Sequence, residues 1–393
     1  MKALKRWWAD SAIRQAVLVF IGLRLALTLM ASAARLTYTG PMAPDPVMRP
    51  YWGITPVSGG LAGLLLEPWQ RWDTLHFIKV ATVGYAGFDH SLHVQPLYPL
   101  LIRAIGTLLA RDWLLASIVV ANVAYLLALI YFHRLVVLDF SEDVARRSVV
   151  CLALFPTAFY FLAGYSESLL LLGSVAGFYY ARRGRWAAAG VAGLLAALAR
   201  WQGALLVVPL GYEAWRQYKD SGAGRRWQNA PWIAPALVIL GALIFPIYVT
   251  LGLHRPPWQP FVDMAQKWGA YYALPWIGIM NTVQLLRSGG GQLSDVVNLF
   301  VAMLFLILAL AGWTKLPRIY ALYSSLVILV VLLKVGEFEP LLSASRYLLA
   351  AFPVFIVLGQ FAHTPMRMRL VVYPSCTLLL LLTAWYAIWG WVA

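Results

Sequence analysis

The chain is a succession of apolar segments, most of them long enough to cross a bilayer or nearly so, joined mainly by short basic connections. The segments lie at about 11–35, 113–133, 147–164, 166–181, 186–200, 203–215, 231–252, 296–313, 318–334, 345–361 and 370–391. Such a pattern leaves few choices. In hydrocarbon every backbone N–H and C=O must be satisfied internally, so apolar runs of this length become helices. Composition agrees: 12% of residues are charged and 61% apolar, too little charge to clothe a soluble fold of this size. A disordered chain and an ordinary soluble enzyme are both excluded. The expectation is an all-α integral membrane bundle of about eleven transmembrane helices.

Charge orients the bundle. The net charge is +15, which in a soluble protein would suggest nucleic acid. Here it belongs to cytoplasmic connections, which collect Lys and Arg, and no nucleic-acid partner is implied. The segment Pro96 to Arg111 is short, opens with two prolines and contains Arg103. Read as a span, it would turn Arg182, Arg183, Arg185, Arg225 and Arg226 outward. Read as an interfacial helix, it puts those clusters inside, together with Lys2, Lys5, Arg6, Arg134, Arg146, Arg147, Lys315, Arg318, Arg367 and Arg369. The second reading is taken: a multi-pass cell-membrane protein with a cytoplasmic N-terminus. Ala31-Ser32-Ala33 looks like a cleavage site, but the first segment is long enough to span and is read as an uncleaved helix. Cys151 and Cys376 each lie in an apolar segment and imply neither a disulfide framework nor a thiolate metal site.

No repeat or soluble domain stands out, so residues 1–393 read as one membrane-embedded domain. Its chemistry is expected in two long outer loops, about 36–112 and 253–295. Within the first, Trp69, Trp72, Asp73, His76 and Val80 share one face at helical spacing. A carboxylate near a helix start suits the dipole, but beside Trp and His it also suits sugar binding and proton abstraction. Three outer turns add polar groups. Tyr165-Ser166-Glu167-Ser168 reads either as a helix cap or as part of a site. Arg200-Trp201-Gln202-Gly203 and Ser345-Arg346-Tyr347 carry arginines that either snorkel or hold an anion. The second loop contributes His254, Arg255, Asp263, Gln266, Lys267 and Trp268, and the last outer turn Glu337 and Glu339, while Lys334, like Arg346, could snorkel. Carboxylates and cations on one side of one membrane suit a reaction on a lipid-linked phosphate.

The motifs Arg71-Trp72-Asp73-Thr74-Leu75-His76-Phe77, Gly84-Tyr85, Pro96-Leu97-Tyr98-Pro99-Leu100 and Phe155-Pro156-Thr157-Ala158-Phe159-Tyr160 follow one another in order. Tyr165-Ser166-Glu167-Ser168, Arg200-Trp201-Gln202-Gly203 and Ser345-Arg346-Tyr347-Leu348 continue the series. In order and spacing they resemble the PIG-V family of mannosyltransferases, whose eukaryotic members add the second mannose to the GPI precursor. The resemblance implies a GT-C glycosyltransferase fold, with the catalytic carboxylate and two interfacial helices in the first extracytoplasmic loop. It implies a polyprenyl-phosphate sugar donor, usually mannose, and inversion at the anomeric carbon. His93-Val94-Gln95 before Pro96 departs from the family's usual Ala-Phe-Phe. The short loops fit a bacterial relative in the inner membrane, with an acceptor other than a GPI precursor.

The expected roles follow. Asp73 is the general base, oriented by His76, with Trp72 as a stacking face. Arg200, Arg346 and Lys267 hold the departing phosphate. Glu167 binds substrate hydroxyls or replaces Asp73 as base, and Gln202, Gln266 and Tyr347 complete the substrate contacts. A lipid phosphate is a good leaving group, so no metal or other cofactor is required. The partners are the polyprenyl-phosphate donor, a lipid- or glycan-linked acceptor and the bilayer. A lipid or sugar transporter and a non-catalytic envelope scaffold are the rival readings. An enzyme needs Asp73, Arg200 and Arg346 around one outward cavity; a scaffold does not.

Overall fold

The computed structural model describes residues 10–220 and 230–393. The basic residues Lys2, Lys5, Arg6, Arg225 and Arg226 lie outside the described residues. The chain folds as an all-helical bundle whose sole sheet, among the described residues, is a two-stranded ribbon.

Among the described residues five helices have the length and apolarity to cross a membrane: α1 (Ser11–Thr37), α5 (Trp113–Val137), α10 (Ile233–Leu251), α13 (Leu293–Lys315) and α17 (Pro365–Ala387). Their boundaries have local causes. Asp10 accepts from the amides of Ala12 and Ile13 and so caps α1. Asp112 caps α5 through Leu115. Gln292 and Asp295 form a reciprocal capping box on α13. Leu18, Leu25 and Leu29 on α1, and Ile307 and Leu310 on α13, point outward. A belt of large exposed apolar side chains on long helices is a lipid-facing surface.

Between α1 and α5 lie three shorter helices: α2 (Gly60–Leu65), α3 (Asp73–Val83) and α4 (Leu97–Leu108). The helix read from Trp69 therefore starts at Asp73. Trp72 has φ 49°, a left-handed conformation that breaks the helical path, and Trp69 drops into a 3-10 turn. Trp69 is consequently not on the site face. It is buried in the core, with Arg24 over its ring.

The segments expected at 147–164 and 345–361 are not continuous helices. Helix α6 (Glu142–Ala153) stops ahead of Pro156, whose ring and missing N–H oppose continuation. The irregular stretch that follows is buried, and side chains satisfy its backbone. Arg24 and Asn122 both donate to the carbonyl of Leu162, and Ser168 donates to that of Phe161. Irregular backbone at membrane depth is tolerated where protein surrounds it in this way. The second segment is a bent pair, α15 (Ala344–Tyr347) with its 3-10 extension and α16 (Val354–Phe361), meeting at 86°.

The remaining elements are α7 (Glu167–Arg182), α8 (Trp186–Ala199), α9 (Val207–Asp220), α11 (Gln259–Trp268), α12 (Pro275–Arg287) and α14 (Arg318–Leu333), with strands β1 (Ala270–Tyr272) and β2 (Lys334–Gly336). Helix α9 is preceded by a 3-10 stretch, Trp201–Leu206, where the sequence pattern suggests a longer helix. The ribbon pairs Tyr272 with Lys334, which fixes where Lys334 stands. Helices α5, α7, α8 and α10 pack in sequence, α16 packs on α6, and α17 on α1. The core runs through Phe132, Phe159, Phe178, Tyr323 and Phe352. Cys151 and Cys376 are both free.

Candidate active site

The site gathers where helices begin or end. Asp73 is the first residue of α3, where the dipole favours a carboxylate, and its amide donates to the Tyr165 hydroxyl oxygen at 3.3 Å. Glu167 opens α7. Arg200 follows α8 in extended backbone. Arg346 sits in α15, just after Ser343 turns through a left-handed conformation.

These four side chains form one ionic chain. Arg346 Nη1 donates to Asp73 Oδ2 at 2.6 Å, and its Nε donates to Glu167 Oε1. Arg200 Nη1 donates to that same Glu167 oxygen at 2.8 Å and to Ser166 Oγ at 3.1 Å. Residues 273 and 179 positions apart in sequence thereby meet at Arg346. Tyrosine faces hold the cations from other directions: Tyr165 lies 4.4 Å and Tyr347 5.5 Å from the Arg346 guanidinium, and Tyr347 lies 4.9 Å from that of Arg200.

Asp73, Arg200, Arg346 and Tyr347 line one cavity, together with His76, His93, Ser166, Ser343, Trp268 and Trp391. Lys334 lines it too, buried, its ammonium 4.0 Å from the centre of the Tyr347 ring. Among the described residues no carboxylate lies within ion-pair distance of Lys334. Three lining cations face one lining carboxylate, Asp73, and even with Glu167 behind the arginines the cations are in excess. The Asp73 side chain is 19% exposed, and its Oδ1 has no hydrogen-bond partner among the described residues.

Other expected residues fall differently. Glu167 does not line the cavity. It lies behind the arginines, and its Oε2 is buried without a partner among the described residues. Its position therefore suits anchoring Arg200 and Arg346 rather than touching substrate. Ser166 does not cap α7 with its side chain, because Arg200 takes the hydroxyl. Gln202 is buried behind Arg200, its Oε1 accepting from Arg200 Nε at 3.4 Å. Gln266 faces a separate cleft with Arg255 and Asp263. Asp263 is occupied structurally, accepting from the Leu92 amide and from Gln259.

A second group surrounds His76. Lys267 Nζ lies 2.6 Å from His76 Nε2, and the His93 ring is 5.1 Å from that of His76. Trp52 stacks on His76, and Phe88 meets it edge-on. Burial, then the neighbouring His93 and Lys267, hold the His76 imidazole well below its usual range, so it is neutral and accepts from Lys267. Burial and Lys267 lower His93 to about 4. Burial lowers Lys267 to about 8 against the pull of Asp73. Burial pushes the Asp73 carboxyl up, but the charge of Arg346 and the hydrogen bond from it outweigh burial and bring it to about 2. Among the described residues no cluster of three or more His, Cys, Asp or Glu side chains is placed to hold a metal ion.

Lys334, His93 and Trp391 are site residues that sequence reasoning did not single out. Lys334 ends a span, where snorkelling is the ordinary reading. Its pairing with Tyr272 is a long-range fact.

Residues 41–221 match the family described as Mannosyltransferase (PIG-V). That stretch holds Asp73, His76, Glu167 and Arg200, whereas Lys267, Lys334 and Arg346 lie beyond it. GPI mannosyltransferase 2 of Yarrowia lipolytica is 26% identical over 203 residues, covering 51% of this chain and 53% of the relative. GPI alpha-1,6-mannosyltransferase 2 of Mus musculus is 32% identical over 169 residues, 40% of this chain and 32% of the relative. The Rattus norvegicus protein of the same name is 32% identical over 160 residues. The chain thus spans about half the length of the fungal relative and about a third of the rodent ones. No solved structure matches.

Proposed function

The chain is PIG-V-like over residues 41–221, and from that premise we propose that it is an inverting glycosyltransferase that moves mannose from a polyprenyl-phosphate donor. The acceptor is a lipid- or glycan-linked hydroxyl. The observation that carries this reading is the single cavity in which one carboxylate, Asp73, faces Arg200, Arg346 and Lys334.

In this reading the acceptor oxygen attacks C1 of the sugar from the face opposite the phosphate. A C1–O bond forms, the C1–O bond to phosphate breaks, and polyprenyl phosphate leaves. The acceptor proton goes to Asp73. Arg200, Arg346 and Lys334 receive the charge that develops on the departing phosphate. The transition state is oxocarbenium-like, as in glycosyl transfer generally.

Arg346 couples the two halves of the reaction. In the free protein it pairs with Asp73 and makes that carboxylate a poor base. A donor phosphate competes for the guanidinium, weakens the pair and raises the basicity of Asp73 where a base is needed. Glu167 keeps both arginines in place throughout.

An apolar groove of about 210 Å³, lined by Ala204, Ala242, Phe245, Pro246 and Phe261, shares His93, Gln95, Trp201 and Met264 with the cavity. Its continuity with a cationic pocket supports a donor with a charged head and a hydrocarbon tail. The gathering of Asp73, Arg200 and Arg346 supports an enzyme over a scaffold. In the same proposal the chain crosses the inner membrane about eleven times, the shorter helices α7, α8 and α14 included, with α3 and α4 at the interface. The N-terminus is then cytoplasmic and the cavity extracytoplasmic, which the distribution of basic connections supports.

The test is mannosyl transfer by purified full-length protein from polyprenyl-phosphate mannose to a panel of acceptors. Asp73→Asn should lower turnover by ~10²–10⁴-fold, the usual worth of a positioned base. It should retain affinity for polyprenyl phosphate. Turnover close to wild type would remove Asp73 from the base role.

A further inference from the structure

A second chamber, of about 290 Å³, meets the cationic cavity at Asp73 and His76. The two spaces also share Trp268 and Trp391, but none of Arg200, Lys334 and Arg346 lines the second. Its walls are indole faces. Trp72 meets Trp391 edge-on at 5.0 Å, and Trp391 lies nearly parallel to Trp268, at 18°. Trp52 and a proline-containing turn at Pro46 and Pro50 close the far side. The Trp72 indole is held among the others, its Nε1 buried and without a hydrogen-bond partner among the described residues.

Apart from Asp73, the sole charged lining residue is Lys267. Its ammonium lies 4.7 Å from the ring centres of both Trp52 and Phe88 and 5.9 Å from that of Trp268. It has no carboxylate within ion-pair distance among the described residues. The aromatic faces that would hold a ligand's cation are therefore already occupied by the protein's own.

We propose that this chamber is the acceptor subsite and that it takes a neutral or anionic sugar residue rather than an amino sugar. The inference rests on the transferase reading above. The C–H faces of a sugar ring carry slight positive charge and rest on the indole π-faces. The reacting hydroxyl then points at the free oxygen of Asp73, between the two spaces. An ammonium on the sugar would meet Lys267 with like charge, and the one carboxylate of the chamber, Asp73, is already paired with Arg346, whereas a carboxylate on the sugar would pair with Lys267.

The experiment measures binding by saturation-transfer NMR titration of full-length protein at pH 6.5. The ligands are methyl α-mannoside, its 6-carboxylate and its 6-amino analogue. The neutral sugar and the carboxylate should each bind on the order of tenfold more tightly than the amine. Lys267→Glu should reverse the order of the two charged ligands, and Lys267→Gln should bring them together. Trp52→Leu should weaken all three while still binding polyprenyl phosphate, which reports an intact fold. No binding of any sugar to the wild type, tightest binding of the amine, or an order unmoved by both Lys267 variants would each overturn the assignment. Selectivity as stated, without mannosyl transfer from polyprenyl-phosphate mannose, would sink the transferase reading and leave the chamber as a sugar site.

Discussion

Glu167→Gln tests the architecture of the site most directly, because one oxygen of Glu167 anchors both arginines. The side chain of Glu167 is 4% exposed, against 2% for Arg346 and 11% for Arg200. Breaking a buried ion pair by removing one partner costs about 3–5 kcal/mol, because the other charge is left uncompensated. Two features place this substitution at the lower end, at about 3 kcal/mol. Glutamine keeps an oxygen that accepts one hydrogen bond, and Asp73 still faces Arg346. Arg200 is the group left without a carboxylate.

The assay is thermal melting in detergent, with and without polyprenyl phosphate. Glu167→Gln should melt several degrees below wild type. Polyprenyl phosphate should then raise the variant's melting temperature by more than it raises that of the wild type. In the variant the phosphate supplies a negative charge that the protein lacks. Uncharged polyprenol should show no such difference. An unchanged melting temperature, or equal shifts with phosphate and alcohol, would refute the anchoring role. Normal melting with turnover abolished would return Glu167 to the list of candidate bases.

Lys334→Met should weaken polyprenyl phosphate binding by roughly 10–100-fold, the worth of one hydrogen bond to a charged group, as read by a binding titration; unchanged affinity would make Lys334 structural. The folded Asp73 pKa of about 2 lies below its unfolded value of about 3.8, so its contribution to stability is present above pH 4 and lost as pH falls towards 2. The pH profile of kcat/KM, which reports the free enzyme, should accordingly show no acid limb from Asp73 between about pH 5 and 7. Lys267, lowered to about 8, should lose its proton as pH rises through 8. Binding of the anionic sugar should fall there, and Lys267→Gln should flatten that limb; the burial penalty on the ammonium is relieved between 8 and 10.5, so stability rises over that window. A cysteine at Gly184 should be labelled from the cytoplasmic side only; labelling from outside would overturn the proposed orientation.

Parts of this site were legible because their signals are local. Asp73 and His76 stand three positions apart in one helix, and a carboxylate beside aromatic residues in a long connection between apolar segments points to chemistry. The long helices were legible for the same kind of reason, since apolar runs and caps such as Asp10 and Asp112 act within a few residues. What the sequence hid is long-range. Nothing near Arg346 says that it pairs with Asp73 rather than snorkels, and nothing near Ser166 says that Arg200 takes the hydroxyl a cap would use. Pro156 and Pro353 interrupt segments whose apolar composition alone reads as continuous. The buried carbonyls of Phe161 and Leu162, beyond the break at Pro156, are paired by Asn122, Arg24 and Ser168, which come from elsewhere in the chain or around a turn.

The division of labour around Asp73 follows from what each neighbour can exchange. Arg346 touches Asp73 through Nη1 and Glu167 through Nε, so a phosphate that draws on the Asp73 side does not release the arginine from its anchor. Lys267 and His76 approach from the other chamber and carry no bond to the arginines. A ligand on the cationic side therefore changes the charge felt by Asp73, while a ligand on the indole side changes what Asp73 can take a proton from. Coupling through one shared carboxylate requires no movement of helices. It predicts an order: acceptor analogues that present a hydroxyl to Asp73 should bind more tightly once polyprenyl phosphate has occupied the arginines, and polyprenyl phosphate should gain by the same factor when the sugar is present. Affinities independent of each other would mean that Asp73 stays locked to Arg346, and the carboxylate would then be a structural counter-ion instead of a base.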